Sequence, residues 1–126
     1  MRVHEVLTRI YLSSEAFESA ITFYERLSGV RCSLRFHYDA VRLVLAQVGC
    51  FLLIGGSLED LAPFQETRLT IVIDDLDAFR YFLEGERAEV LSPPKVVPTG
   101  RNMRVRHADG LVVEYVEHTR DLLAPS

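Results

Sequence analysis

"TRIYLSSEAFESAITFYERLSG" (Thr8–Gly29) has an echo further along the chain in "TRLTIVIDDLDAFRYFLEG" (Thr67–Gly85), and this pair decides the architecture. At a constant offset of 59 residues Thr8 matches Thr67, Arg9 matches Arg68 and Ile10 matches Leu69. Leu12 then pairs with Ile71, Phe17 with Leu76, Phe23 with Phe82 and Glu25 with Glu84. A fixed offset shared by polar and apolar positions means two copies of one supersecondary unit. Two copies are too few for a solenoid, so a pseudo-twofold domain follows.

Each copy opens with a strand and turns into a helix. In the first, Phe17, Ala20, Ile21, Tyr24 and Leu27 recur at helical spacing and form one apolar face. Ser14 is the expected N-cap, Glu15 and Glu18 suit the positive end, and Gly29 suits the stop. In the second, Asp74 or Asp75 caps, Leu76, Phe79 and Leu83 form the apolar face, and Gly85 ends it. Strand signals follow each helix. "RCSLRFHY" (31–38) alternates, with Cys32, Leu34, Phe36 and Tyr38 on one face. Asp39-Ala40 turns into "VRLVLAQV", and Gly49 leads into "CFLLIGG". In the second half Pro93, Pro94 and Pro98 predict an interrupted strand, because proline cannot donate to a central ladder. "RNMRVRHA" and "LVVEYVEH" make a hairpin around Asp109-Gly110. The reading is a single α+β domain: one module over about 5–56, a linker at 57–66, a second module over about 67–118 and a loose tail at 119–126.

The order of elements, with "FYERLSG" closing the first helix and "HADGLVVEYVE" near the end of the chain, resembles the vicinal oxygen chelate superfamily. That group includes glyoxalase I, extradiol dioxygenases, fosfomycin-resistance enzymes and bleomycin-resistance proteins. The stretch "EVLSPPKVVPTGRNMRVRHADGLVVEYVE" is similar to the superfamily's C-terminal signature, and the resemblance covers roughly residues 5–118. It implies two βαβββ modules pairing into a curved mixed sheet around a cleft. One fold hosts several chemistries, so activity must be argued from the site.

In metal-dependent members the ligands project from the first and last strand of each module. The resemblance puts the first-strand positions on Arg9 and Arg68, or on Thr8 and Thr67 after a one-residue slip, and the last-strand positions on Leu53 and Glu114. Of these four positions only Glu114 offers a metal-binding side chain; leucine has no donor atom and arginine stays protonated. His4, His37, His107 and His118 show no ligand spacing, and Cys32 and Cys50 read as ordinary buried thiols. The expectation is a chain with no metal and no cofactor.

Strand periodicity puts Val112, Glu114 and Val116 on one face and Leu111, Val113 and Tyr115 on the other. By the geometry the resemblance implies, the Glu114 face lines the cleft; Ile10, Leu12, Leu69, Ile71 and Ile73 then face the helices, while Arg9, Tyr11, Ser13, Arg68, Thr70 and Val72 look into the cleft. A lone carboxylate between apolar neighbours needs a partner. Arg9 and Arg68 are expected to converge on Glu114, leaving surplus positive charge for a carboxylate or phosphate. A self-neutralised network with no ligand is the alternative. The candidate ligand-binding set is Arg9, Tyr11, Phe51, Leu53, Arg68, Thr70, Val112 and Glu114, with no catalytic residue assigned unless Glu114 serves as a base.

Composition agrees with a small-molecule role. The 126 residues are 48% hydrophobic and 25% charged, with a net charge of −4 and mixed signs. No basic stripe suits nucleic acid, and no apolar run suits a membrane helix. "RNMRVR" (101–106) reads as a solvated strand edge. Gly55-Gly56 reads as a turn, since it lacks the rest of a phosphate loop. The expected protein is cytoplasmic, homodimeric and metal-free, binding an anionic or planar aromatic molecule in the manner of the bleomycin-resistance branch. Bleomycin, being cationic, fits poorly. The alternatives are a metal-independent isomerase, lyase or dioxygenase with Glu114 as base, or a metalloenzyme whose ligands lie elsewhere.

Overall fold

The computed structural model describes residues 1–119, and the chain divides into two compact units. One is Leu7–Glu66; the other joins Met1–Val6 to the chain from Thr67 onward. The expected tail beyond Thr119 lies outside the described residues. No described helix is long and apolar enough to cross a membrane.

The 7–66 unit holds most of β1 (Val3–Leu12), then α1 (Phe17–Ser28), β2 (Leu34–Tyr38), β3 (Leu43–Val48), β4 (Phe51–Gly55) and α2 (Leu58–Leu61). Its strands lie in the order β2-β3-β4-β1, with β1 and β4 parallel and the other pairs antiparallel. Phe17 and Ile21 of α1 pack on Ala46, Val48 and Leu53, with Ile10 and Leu12 beside them. Each such buried side chain is worth about 1.5–3 kcal/mol against exposure. The cap is Ser13 rather than Ser14. A 3-10 turn (Ser14–Ala16) precedes the helix and moves the first free N–H groups back one residue, so the Ser13 hydroxyl accepts from Ala16 N–H. Gly29 takes φ 71° and closes α1 onto the Glu25 carbonyl, as its place in the sequence implies. The linker is not featureless, since α2 starts on a Ser57 cap.

The second unit runs β5 (Thr67–Ile73), α3 (Leu76–Gly85), β6 (Glu89–Val97), β7 (Gly100–Arg106) and β8 (Val112–His118), ordered β5-β8-β7-β6. Asp75 caps α3 through Ala78 N–H, and the carboxylate of Glu117 accepts from Leu76 N–H at 2.9 Å. Leu76, Phe79 and Leu83 pack on Ile73, Met103, Val105, Val113 and Tyr115. Leu69 and Ile71 join them on this helix side. The helix ends at Gly85 as expected, with Glu86 as the C-cap, and the left-handed conformation falls on Arg87, φ 66°.

Two strand expectations change. The proline stretch is one continuous strand, β6, which absorbs Pro93 and Pro94 by register shifts between Val90, Ser92 and Lys95. Lying outermost in its unit, it can spare the ladder bonds that proline lacks. "RNMRVR" is no edge, because β7 lies between β6 and β8 and buries Met103 and Val105 completely.

Candidate functional site

The face of the second unit's sheet turned away from α3 carries the polar residues. Val112, Glu114, Val116 and His118 alternate along β8 with the helix-side residues Val113 and Tyr115. On β5, Thr70 stands beside Glu114 and Val72 beside Val116. On β7, Arg104 stands opposite Glu114 and Asn102 opposite Val116.

Glu114 is half-buried and held at both oxygens. The Thr70 hydroxyl, only 3% exposed, donates to Oε1 at 3.3 Å. The Asn102 amide donates to Oε2 at 2.9 Å. Both donors are neutral groups, and each orients one oxygen of the carboxylate. His118, also half-buried, lies further along the same face. Burial pushes its imidazole below histidine's usual 6.5; Glu5 and Glu114 pull it back up, and His4 pushes it further down.

Arg68 falls away from this group for a physical reason. The β5–β8 ladder slips between Thr67 and Leu69, so Thr67 pairs with Val112, Thr70 pairs with Glu114, and Arg68 is the extra residue of a bulge. It is exposed, and its guanidinium makes no hydrogen bond or ion pair among the described residues. Both registers weighed from the sequence are thus realised, one on each side of the bulge.

Arg9 and Tyr11 belong to the 7–66 unit. An Arg9 guanidinium N–H donates to the Tyr11 hydroxyl at 3.0 Å, which donates in turn to the Phe64 carbonyl at 2.5 Å. Phe51 and Leu53, expected on the cleft side with Arg9, are reversed. Leu53 is fully buried against α1, Phe51 packs in the same cluster, and its ring meets Tyr24 at 4.7 Å between centroids. Parallel pairing sets Leu52 beside Arg9 and Ile54 beside Tyr11, so these two share the arginine's face. Cys50, read as a buried thiol, is exposed beside the Gly49 turn.

Asn102 and Arg104 were missed because three arginines made their stretch look solvated. The turn held the signal. His107 N–H bonds to the Leu111 carbonyl, and counting outward from that closure gives Arg106 opposite Val112, Arg104 opposite Glu114 and Asn102 opposite Val116.

The metal implied by the fold resemblance does not fit these residues. Among those described, no three His, Cys, Asp or Glu side chains are grouped so as to hold an ion. Around Glu114, Thr70 and Asn102 direct hydrogens at the carboxylate. A metal site there would need lone pairs from imidazole or carboxylate groups.

No protein-family model and no curated protein matches the chain. Solved structures do. A methylmalonyl-CoA epimerase from Mycobacterium tuberculosis is 20% identical, covering 98% of this chain and 93% of its own, with TM-score 0.70. A Streptomyces coelicolor methylmalonyl-CoA epimerase in complex with 2-nitronate-propionyl-CoA is 15% identical, covering 95% and 96%, with TM-score 0.67. These likenesses establish the fold, an α+β arrangement of two βαβββ modules as in the vicinal oxygen chelate superfamily. An uncharacterized protein from Methanosarcina mazei is 44% identical over 95% of this chain and 96% of its own, with TM-score 0.87. This chain belongs to the same family as that protein.

Proposed function

We propose that this chain binds a small organic acid, aromatic acids included, without using a metal, at the sheet face that carries Glu114, Thr70, Asn102 and Arg104. The observation behind this reading is Glu114 itself, an acceptor fixed by a hydroxyl and an amide in the middle of a strand face. Arg104 stands directly across the ladder from it, and Lys95 pairs with Asn102 one strand further out. A ligand with a hydroxyl or N–H donor for Glu114 and an anionic group for the cations matches both features. The homodimer and the cytoplasmic location belong to the same proposal. Sedimentation equilibrium tests the first and cell fractionation the second.

Salicylate joins acid, ring and hydroxyl in one probe, with benzoate and phenol as controls. Titration calorimetry is expected to rank salicylate first. Arg104→Gln should weaken it by about tenfold or more, the value of one charge-assisted hydrogen bond. Glu114→Gln should remove the preference for salicylate over benzoate. Equal affinity for all three probes, or variants that bind as the parent does, would reject the site.

A second reading draws on the neutral donors at Glu114. A carboxylate oriented by a threonine and an asparagine on an open strand face is placed as a base, to take a proton from carbon next to a carbonyl and return it. Methylmalonyl-CoA epimerases share this fold, which suggests 2-substituted acyl thioesters as trial substrates. The reading requires deuterium to wash into the 2-position of such a thioester in D2O at a rate that Glu114→Gln abolishes. Absence of exchange eliminates it.

A further inference from the structure

The parallel strands β1 and β4 end side by side at Leu12 and Gly55, and a cavity of about 350 Å³ opens beyond them within the 7–66 unit. We propose that this cavity is a binding site for a small primary amine with an apolar body, its ammonium directed to Glu15. The inference is independent of the Glu114 reading.

Four observations carry it. The volume lies in the range of small-molecule pockets, and the carboxyl ends of parallel strands are where open sheets leave room for a ligand. The floor is pressed backbone. Gly56 belongs to the lining, and a Cβ there would meet Leu43 Cδ2 at 2.7 Å, so the backbone at this point is closely packed from behind. The wall includes the Tyr11 ring, fixed by its hydroxyl's bond to Phe64, together with Leu12 and Leu61. At the rim Leu58 stands 84% exposed, an apolar side chain that the body of a ligand would cover.

Charge selects the ligand. Glu15 alone among the described lining residues carries one. Two short helical starts border the cavity, and the N–H groups of each are already answered from within. Ser13 and Ser57 hydroxyls are engaged by Ala16 and Asp60 N–H groups, and Glu15, Glu59 and Asp60 occupy the first turns. Asp60 is matched by Arg42 at 3.8 Å, which leaves Glu15 and Glu59 to set a negative local field. Tyr11 and Glu15 line the same cavity, and an aromatic ring with a carboxylate is favourable ground for an ammonium group.

The test is an amide chemical-shift titration of the intact chain with benzylamine, using benzyl alcohol and benzoate as controls of similar shape. Benzylamine is expected to shift the amides of residues 11–15 and 56–61 saturably at millimolar concentration. The alcohol and the acid should bind about tenfold more weakly or not at all, the worth of one charge-assisted bond. Glu15→Gln should lower the amine's affinity to that of the alcohol. Ser14→Trp, at an exposed position, should fill the cavity and abolish the shifts while the rest of the spectrum stays folded. Amine and alcohol binding alike, shifts confined to other residues, or an unchanged affinity in Glu15→Gln would each overturn the proposal.

Discussion

Glu114 and His118 share one face of β8 but are handled in opposite ways. The carboxylate receives donors, whereas the imidazole is chiefly deprived of water. Removing a donor should therefore cost stability. Asn102→Ala is expected to lower the unfolding free energy by about 1–3 kcal/mol in urea titration, since it strips a hydrogen bond from a half-buried charge. In the Glu114→Gln background the same change should cost less, and the double-mutant cycle measures the difference. His118 contributes through pH. Its folded value lies below 6.5 and its unfolded value near it, so between the two the unfolded chain binds more protons. The contribution is thus complete above 6.5 and is lost as pH falls through the folded value. Stability should rise with pH across that interval, and His118→Asn should flatten the slope. Tyr115 behaves differently again. Burial pushes its hydroxyl up to about 12 while His107 lies 2.6 Å away, so ultraviolet titration should show a tyrosine step near that pH, absent in Tyr115→Phe.

At the scale of elements, α3 is tied at its start by two carboxylates of different origin, Asp75 from its own cap and Glu117 from β8. Asp75→Ala should cost about 0.5–2 kcal/mol, the ordinary range for a lost cap. Glu117→Ala removes a bond to Leu76 N–H and also the partner that Arg101 meets at 3.4 Å, so hydrogen exchange should accelerate at the first turn of α3. Which elements could be read beforehand follows from their patterning. Leu69, Ile71 and Ile73 alternate with polar neighbours in part of β5, and their direction toward α3 was legible for that reason. Phe51, Leu52, Leu53 and Ile54 are apolar without a break, so β4 offered no period, and Phe51 and Leu53 were placed on the wrong side. The bulge at Arg68 left no mark in composition, because an extra residue in one strand is defined only by the partner it fails to match. The partners of Glu114 were hidden likewise, as Thr70 and Asn102 lie 44 and 12 residues from it in sequence.

At the scale of the molecule, the two copies of the repeat, opening at Thr8 and Thr67, fall one in each compact unit, but the segment before the first copy belongs with the second. Met1–Val6 is grouped with the chain from Thr67, while the rest of β1 is grouped with residues up to Glu66. Arg2 exchanges two bonds with Asp74, its N–H donating to the carboxylate at 2.8 Å and its carbonyl accepting from Asp74 N–H at 3.1 Å. Deleting residues 1–6 should therefore accelerate hydrogen exchange around Asp74 and leave β2, β3 and β4 protected. The same division imposes an order on synthesis. Leu7–Glu66 leaves the ribosome as an uninterrupted length and can close while translation continues. The second unit has its opening six residues in hand from the first moment, yet must wait for the carboxyl-terminal strands before it can use them. A force-sensitive arrest sequence should accordingly register two separate pulling events, the later one only after His118 has emerged.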